Sequence, residues 1–448
     1  MANVAFTPKD CHTFINELTK ELTGQYPTIQ AIDTSTFVAL GRTLMERYRV
    51  ESIFESISEM LGRTIISVRG YSPDFDMVEA DNEEYANLQR KISYFCTEAE
   101  ASQDFNTDLT PNQLDDGNSV DMYKIKKVYP LQTNFGGAQT YQFHYTVWRY
   151  QLRGAFANEA GMAEFLAGQI TEINNNLAQW RESRNRGLVL NFIAATLDAG
   201  RPESKVNLTT AFNTAKGTTY TSQELRTTHL PEFSLWFAAY LKTLSSRLER
   251  RTELYHITPQ KNDDHGNPLH LLRHTPRADQ RLMLYSPLFN QIGVEARALI
   301  FNQQFLDFPQ FREVIWWQNA NDPSHIKVTP RIYDVTTGDS KEGAQVDVPY
   351  LVGVMFDRPA MVMVYKLDET VATPVNAAGS YYNIFHHWLF RPQCDQTENA
   401  VVFYMADTDL YTGASTLCLD ECAQAEPVTA DPGTPAPDTS STTKTGTK

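Results

Sequence analysis

Three histidines lie close together in the sequence and are the residues of this chain best suited to bind a metal ion. His265, His270 and His274 stand in a segment that also contains Gly266 and Pro268. Imidazole nitrogens are common zinc ligands, and a zinc ion with an open coordination position activates water for hydrolysis. Their spacing fits no single helix face, however, and no acidic residue completes a site. We interpret them as solvated loop histidines, with a metal-dependent hydrolase as an alternative that metal analysis of the pure protein would test.

The other candidates for chemistry have plainer interpretations. Cys418 and Cys422 lack the second pair of ligands that a structural zinc site needs. The chain has no P-loop, no dinucleotide-binding glycine pattern, no zinc-protease helix motif and no nucleophile elbow. We therefore predict no catalytic, cofactor-binding or metal-binding residues, and no enzymatic activity. The residues interpreted as structural are the turn pairs Asp74/Asp76 and Asp407/Asp409, the packing histidines His386 and His387, and Asn207, whose glycosylation pattern means little without secretion.

The composition is that of a folded and acidic protein. Of the 448 residues, 42% are hydrophobic and 11% aromatic, and 39 basic against 54 acidic side chains give a net charge of −15. Because proteins neutralise phosphates with clustered Lys and Arg, this chain is not expected to grip nucleic acid through its general surface. We find no signal-peptide pattern and no apolar run of membrane-spanning length, and the five scattered cysteines are typical of a reducing cytoplasm. A shell that encloses DNA and an ordinary soluble enzyme are both compatible with this balance.

A proline-free run from residue 157 to residue 199 predicts one long amphipathic helix. Its apolar positions recur mostly at steps of three and four, which marks a single stripe. At roughly 1.5 Å per residue, such a helix spans about 60 Å, which is more than a compact domain needs. We infer an architectural element that reaches across a subunit or along a shell. The apolar positions are Met162, Leu166, Ile170, Ile173, Leu177, Trp180 and Leu188.

The residues before this helix predict a helical N-terminus followed by an extended arm. Helices are expected over about 7–22 and 35–61. Residues 70–139 form a long polar region, and loops of that length inside a domain are usually functional. Strand patterns at 63–69 and 141–150 would form the two sides of the arm. A small α+β domain in this region is the alternative.

The residues after the helix predict a mixed α/β domain and a polar tail. A second amphipathic helix is expected after Pro231, whereas residues 208–226 are Thr-rich and poorly patterned. Residues 426–448 contain four Pro, seven Thr and no aromatic residue, so they cannot bury enough apolar area to fold. The other expected elements are a strand at 281–285, a helix that begins at Ser286, and strands at 314–317, 326–328, 352–356 and 361–365.

An aromatic-rich block near the C-terminus has two interpretations. Strand-like runs at 361–365 and 400–404 flank residues 379–388, which are dense in aromatic side chains. Tyr and Trp suit subunit junctions that are apolar yet partly wet. The same residues would also suit the core of a sheet, and the sequence favours neither interpretation.

The order of these elements resembles that of the major capsid proteins of tailed bacteriophages, which share the α+β Hong Kong 97-like fold. The shared order is an N-terminal helical arm, a long extended loop, one spine helix, a mixed α/β domain and returning strands. Short residue patterns are similar to those of the phi-29-type podovirus capsid proteins. These patterns are Arg153-Gly154-Ala155-Phe156, Gly379, Tyr381-Tyr382-Asn383 and Ala400-Val401-Val402-Phe403.

The resemblance implies a major capsid protein that self-assembles through hexamers and pentamers into an icosahedral head shell. The shell would enclose double-stranded DNA without sequence-specific binding. Portal, scaffold or head accessory proteins are the implied partners, with no membrane, and the protein would reach the virion after assembly in the host bacterial cytoplasm. The implied regions are an N-terminal helical arm (1–62), an E-loop (63–150), a P-domain spine helix and following segment (151–230), an A-domain (231–367), returning P-domain/A-domain strands (368–425) and a disordered tail (426–448).

The resemblance also implies how the arm would work. Residues 63–150 would lie over a neighbouring subunit, and we expect residues 63–199 to have little fold of their own. Some relatives crosslink neighbouring subunits through a Lys and an Asn. An encapsulin-like compartment shell and a ring-forming portal or tail component are the alternative functions. We predict non-covalent assembly, because none of the loop lysines matches the crosslinking role; they are Lys91, Lys124, Lys126 and Lys127.

Overall fold

The computed structural model describes the chain between residues 15 and 411, with gaps. The expected N-terminal helix is described only in part, and that part is helical. The expected strand at 63–69 lies outside the described residues, as do the tail and the Cys418/Cys422 pair. The described residues are 15–17, 19–20, 30–31, 34–47, 74–80, 88–96, 122–123, 127–137, 139–148, 159–262, 264, 266, 268–290, 310–376 and 378–411.

The spine helix and the helix after Pro231 are present as expected, whereas the helices expected over 35–61 and from Ser286 onward are described only to residues 47 and 290. The spine helix, α2, has 41 residues, and its C-terminal half enters the main core through residues such as Val189, Phe192 and Ile193. The helix after Pro231, α5, has its proline in the first turn, where a missing N–H costs no hydrogen bond. No helix among the described residues is long and apolar enough to cross a membrane. In chain order the helices are α1 (Thr34–Arg47), α2 (Glu159–Ala199), α3 (Leu208–Lys216), α4 (Ser222–Arg226), α5 (Leu230–Leu248) and α6 (Ser286–Asn290).

Helices α3 and α4 occupy the segment that appeared poorly patterned in the sequence. Their ends are fixed by capping and not by a long apolar stripe. The Asn207 side chain accepts the Thr209 N–H at the start of α3, and Gly217 ends that helix with φ of 67°. Thr221 and Glu224 form a reciprocal capping box at the start of α4. Short helices of this kind depend on their caps, so periodicity alone does not reveal them.

The strands form two larger sheets and three small two-stranded ones within the described residues. Most expected strands are present. The expected strand at 314–317 is wrong in its bounds, because β6 ends at Val314 and Trp317 lies beyond it, with its N–H bonded to the Pro323 carbonyl. In chain order the strands are β1 (Leu88–Tyr94), β2 (Pro130–Gly136), β3 (Gln139–Trp148), β4 (Lys205–Asn207), β5 (Gln280–Tyr285), β6 (Gln310–Val314), β7 (Ile326–Val328), β8 (Arg331–Tyr333), β9 (Ser340–Glu342), β10 (Val346–Val348), β11 (Leu351–Asp357), β12 (Met361–Ala372), β13 (Tyr381–Cys394) and β14 (Ala400–Tyr404).

The five-stranded sheet is the centre of the hydrophobic core. Its order is β4-β14-β11-β5-β6, with parallel pairs at both edges and antiparallel pairs inside. Every residue of β5, β11 and β14 is buried, as expected for strands covered on both faces. Helix α5 packs on it through Phe237, whose ring lies 5.6 Å from that of Phe403. Residues of α2 join the same core.

The three-stranded sheet has the order β12-β13-β3 and is antiparallel throughout. Along β13, buried and half-buried residues alternate, so that one face is directed towards the core. That inward face meets the spine helix α2, around Trp180 and Trp388. Residue 367, where the sequence analysis ends the A-domain, lies inside β12.

Candidate functional site at the arm stem

The histidines considered as metal ligands do not form a cluster in the part of the chain that the structure describes. His270 and His274 are exposed, and His265 lies outside the described residues. The Nδ1 atom of His270 contacts the carboxylate of Glu253, which also pairs with Arg201 at 2.9 Å. Within the described ranges, no three His, Cys, Asp or Glu residues are grouped so that they could hold a metal ion.

The aspartate pairs bind other parts of the chain. Asp407 accepts the backbone N–H of Ser222 at 2.6 Å and so caps α4. Asp409 accepts a hydrogen bond from the amide of Asn207, 2.9 Å away, and Asn207 itself is buried. Asp76 pairs with Arg312. These contacts agree with the interpretation of Asp76, Asp407 and Asp409 as structural residues. Asn207 is buried and caps α3.

His386 lies in the core of the three-stranded sheet, as its interpretation as a packing residue predicted. Its ring stacks on Tyr145, with centroids 5.6 Å apart, and its Nδ1 lies 3.0 Å from the Thr370 hydroxyl. Burial lowers the pKa of His386 to about 4, helped by the nearby His387. The ring is therefore neutral at pH 7 and fills space between strands. His387 points to the other face, beside Phe385.

The spine–sheet interface consists of aromatic rings packed around Trp180. The Trp180 ring lies 5.5 to 5.6 Å from four other rings, contributed by all three strands of the sheet. Two arginines of α2, Arg181 and Arg184, lay their guanidinium groups over the same rings. Within this chain, the aromatic block therefore serves as a core sheet on its inward face. The four rings around Trp180 belong to Tyr141, Phe143, Tyr365 and Phe390.

We call the hairpin of β1 and β2 the arm stem, because these strands are the described base of the expected arm. Its two strands pair antiparallel along their full length. The outward side chains Ile92 and Tyr94 are 54% and 62% exposed. The inward side chains are mainly polar, and each reaches a different part of the body. Gln89 accepts a hydrogen bond from Arg391 at 2.9 Å, and Ser93 accepts one from Arg273 at 2.9 Å.

Lys91, the third inward residue, enters a buried acidic environment. Its ammonium contacts the carboxylates of both Asp395 and Glu398, which are almost fully buried. Arg273 lies 3.6 Å from Glu398, so that two cations face two carboxylates. Buried carboxylates of this kind are stable only when they are paired and hydrogen-bonded. The arm stem thus completes the charge balance of the body beneath it.

We call residues 395–399, with the sequence Asp-Gln-Thr-Glu-Asn, the junction turn. All five side chains are polar, and none is more than 8% exposed. Turns normally run over the surface, because buried polar groups must all find partners. Gln396 makes three of the hydrogen bonds that hold the turn. Its side chain accepts the Tyr333 N–H at 2.8 Å and donates to the Arg331 carbonyl at 2.8 Å. Its backbone carbonyl accepts the Ile257 N–H at 3.0 Å.

Two titratable groups beneath the junction turn have shifted pKa values. Burial raises the pKa of Asp357 to about 6, against the hydrogen bond from Thr275 and with a contribution from Glu398. Burial lowers the pKa of His256 to about 4, although its ring nitrogens face the Leu271 carbonyl and the Asn399 amide oxygen. The region therefore contains a carboxyl that resists ionisation and an imidazole that resists protonation.

Sequence reasoning missed the junction turn and the docking of the arm stem on it. A polar stretch between two strands ordinarily predicts an exposed turn, and nothing local signals the burial of residues 395–399. The expectation that residues 63–199 have little fold of their own stays a prediction, because the following contacts of its described parts are with the rest of the subunit. The stem docks on its own body through Lys91, β3 pairs with β13, and α2 enters the main core.

Comparison with known proteins identifies the family. The model of a family described as Phi29-like phage major capsid protein matches residues 15–404. No curated protein sequence matches the chain. The solved capsid of Staphylococcus phage Andhra is 9% identical with a TM-score of 0.45, over 74% of this chain and 83% of that one. A chain in the structure of the head fiber and inner core protein gp22 of native bacteriophage P68 is 10% identical with a TM-score of 0.46, over 75% and 85%.

These structural likenesses are distant, and the assignment depends on the family model, which spans most of the chain. The described helices and sheets confirm the predicted α+β class, and the match is to phage major capsid proteins, the group for which the Hong Kong 97-like fold is predicted. The match also confirms the predicted role: a structural protein and not an enzyme, many copies of which form the head shell of the virion. The chain belongs to the Phi29-like phage major capsid protein family.

Proposed function

We propose that copies of this subunit close the shell through non-covalent contacts made by the outward face of the arm. The supporting observation is that large apolar side chains are left uncovered there. Ile92, Tyr94, Met122 and Val128 are between 54% and 81% exposed, and all lie in the arm. Ile92 and Tyr94 are two residues apart on one face of β1, and exposed apolar side chains that share a face are typical of protein–protein contact sites. A neighbouring copy would cover them, as the resemblance to tailed-phage capsid proteins implies.

Non-covalent assembly is supported by the lysines of the arm. The amines of Lys91 and Lys127 are engaged in ion pairs with Asp395 and Asp264 of the same chain. Lys124 and Lys126 lie outside the described residues. An amine held as an ammonium by a carboxylate is a poor nucleophile for a crosslink. Many modest contacts repeated around a closed shell add up to stable assembly without new bonds.

The subunit layout proposed here follows the resemblance. Residues 1–62 would form an N-terminal arm, 63–150 the E-loop, 151–230 with 368–425 the P-domain, and 231–367 the A-domain, with 426–448 as a tail. Because β12 runs through residue 367, the two domains would share that strand near their border. The stem of the E-loop would stay on its own subunit, and only its outward face would meet the neighbour.

The proposed partners are a portal, scaffold or head accessory proteins, and double-stranded DNA of a podovirus-type phage, with assembly in the host bacterial cytoplasm. The net charge of −15 supports a shell that encloses DNA without gripping it. Specific binding would need clustered basic residues facing the phosphates, whereas Arg181 and Arg184 lie against aromatic rings.

The test is to place charge on the outward face of the arm without touching its docked side. The double variant Ile92→Asp/Tyr94→Asp is expected to yield folded subunits that sediment as free protein and not as shells. Leu235→Asp is the control, because Leu235 is equally exposed but lies on α5, away from the arm. It should assemble as the wild type does. Intact shells from the double variant, or an equal loss from Leu235→Asp, would contradict the proposal.

A further inference from the structure

The junction turn is one of two adjacent connections between the two large sheets. It joins β13 of the three-stranded sheet to β14 of the five-stranded sheet. The other connection is the short 3-10 turn Arg358–Ala360, which joins β11 to β12 in the opposite direction. The two are bonded to each other at both ends: Asp395 N–H donates to the Ala360 carbonyl at 2.8 Å, and Asp357 N–H donates to the Asn399 carbonyl at 3.0 Å. Any change in the angle between the sheets must therefore deform this pair of connections.

The arm stem docks directly on this pair of connections. Lys91 binds Asp395 and Glu398, at the first and fourth positions of the junction turn. The second carboxylate oxygen of Asp395 accepts the N–H and the hydroxyl of Thr397, at 3.0 and 2.7 Å, and so shapes the turn itself. One carboxylate therefore holds both the arm and the conformation of the turn.

We propose that the junction turn couples the position of the arm to the packing of the two sheets, and that Lys91 transmits this coupling. With Lys91 in place, the carboxylates of the turn are neutralised and its hydrogen bonds are complete. When the stem moves away, Glu398 retains Arg273, whereas Asp395 loses the cation that Lys91 supplies and retains its hydrogen bonds from Thr397. A buried carboxylate without a cation is strongly unfavourable. The turn must then open to admit water, and it loosens the groups bound to it.

The groups that would loosen are specific and lie far from the arm in sequence. Gln396 holds the backbone N–H of Tyr333 in β8 and that of Ile257 in the segment after α5. Arg273 binds the Thr397 carbonyl at 3.1 Å as well as Ser93 of the stem, which makes a second and weaker tie between arm and turn. A simple anchor would not affect Tyr333 or Ile257, because neither is bonded to the stem. Their amides therefore distinguish coupling from anchoring.

The experiment is hydrogen exchange on the full-length, unassembled subunit, read by mass spectrometry on peptides that cover residues 255–259 and 331–335. Lys91→Met is expected to raise exchange about tenfold at the Ile257 and Tyr333 amides, in addition to the stem. Lys91→Arg keeps the cation and should retain the wild-type pattern. Lys127→Met is the matched control: it removes an arm ion pair, but that pair is exposed on both sides. It should leave both peptides unchanged.

Exchange that rises only within the stem of Lys91→Met would overturn the coupling and leave Lys91 as a local anchor. If Lys91→Met raises hydrogen exchange in all peptides, including those of α5, the milder variant Ser93→Ala tests the coupling instead. It breaks only the Arg273 tie and should raise exchange at residues 331–335 by a smaller factor, whereas no change there would reject the proposal. These measurements use free subunits and are independent of the assembly test. Their result would be the same even if Ile92→Asp/Tyr94→Asp still formed shells.

Discussion

Strand β13 meets the rest of the subunit in two different ways. Its inward side chains Trp388 and Phe390 pack against α2 in a cluster of aromatic rings around Trp180. Immediately beyond its C-terminal end, the junction turn is surrounded almost entirely by hydrogen bonds and charges. The first contact is stabilised by the apolar area it buries, and the second by whether each polar group has its partner.

Because of this difference, the two regions tolerate different kinds of substitution. An apolar interface loses stability in proportion to the volume removed, and rings of similar size can replace one another. A buried polar network loses stability stepwise, because a single missing partner leaves another group desolvated and unpaired. The interface fixes where the spine lies against the sheet, and the junction turn fixes how the two sheets and the arm are related.

The largest expected effect is at the apolar interface. Trp180→Ala should lower the free energy of unfolding by about 3 kcal/mol, the lower end for a large ring, because the half-buried indole packs among four rings. Urea denaturation followed by circular dichroism measures it. Trp148→Ala is the control, since Trp148 lies on the outward face of the same sheet and is 39% exposed. It should cost about 1 kcal/mol or less. Equal losses would mean that the outward face is packed as tightly as the inward one.

The second effect is at the junction turn and is expected from a much smaller group. Asn399→Ala should cost about 2–3 kcal/mol, because it removes the partner of Thr275 and of His256 in a fully buried site. The matched variant is Asn383→Ala, which loses a hydrogen bond of 2.7 Å to Thr146 on the exposed face. Water replaces that partner, so the cost should stay below about 1 kcal/mol. Denaturant titration compares the two, and similar values would remove the distinction between the regions.

The same distinction explains which elements could be predicted from the sequence. Helices α2 and α5 were predicted because their apolar spacing is local and each stripe is long. Strands β5 and β11 were predicted because a run of consecutive apolar residues marks a strand covered on both faces. The aromatic block could not be resolved into core or subunit junction, because only the pairing of β13 with β3 shows which alternate residues face α2.

The ion pairs of the junction turn could not be predicted from the sequence, for a physical reason. Lys91 and Asp395 are 304 residues apart in the chain, and neither has a neighbour that signals the pair. An ion pair has no periodicity, so its two members cannot be matched without the fold. Helices α3 and α4 were missed because both are short and capped, and the capping residue Asn207 also binds Asp409, 202 residues later in the chain.

The two regions should also respond differently to pH, because the junction contains a compensating group. His386, at the interface, has a folded pKa of about 4 against an unfolded value near 6.5. The unfolded chain thus binds the proton first, and stability falls as pH decreases from about 6.5 to 4, by up to about 1.4 kcal/mol per unit. At the junction, His256 acts the same way, but Asp357, with a folded pKa of about 6, binds its proton earlier in the folded state and offsets it.

The measurement is urea denaturation at pH 7 and at pH 5. His386→Phe should flatten the acid side of the stability profile, because it removes the imidazole whose pKa is lowered by folding. Asp357→Asn should make that side steeper, because His256 then acts alone. A flatter profile in Asp357→Asn would show that the compensation has been assigned the wrong sign.

The smallest effect is expected where α2 faces neither region. Gly187 lies in the middle of the helix on its exposed side, and a Cβ atom there would meet nothing within 4 Å. Alanine should therefore stabilise the subunit by about 0.5–1 kcal/mol, since glycine is the poorer helix former. Gly217→Ala provides a control of opposite sign, because its φ of 67° strains any residue with a Cβ. Denaturation midpoints distinguish the two. If Gly187→Ala destabilised the free subunit, α2 would also be constrained on its solvent-exposed side. The apolar interface and the polar junction would then not be sufficient to explain how the spine helix is held in place.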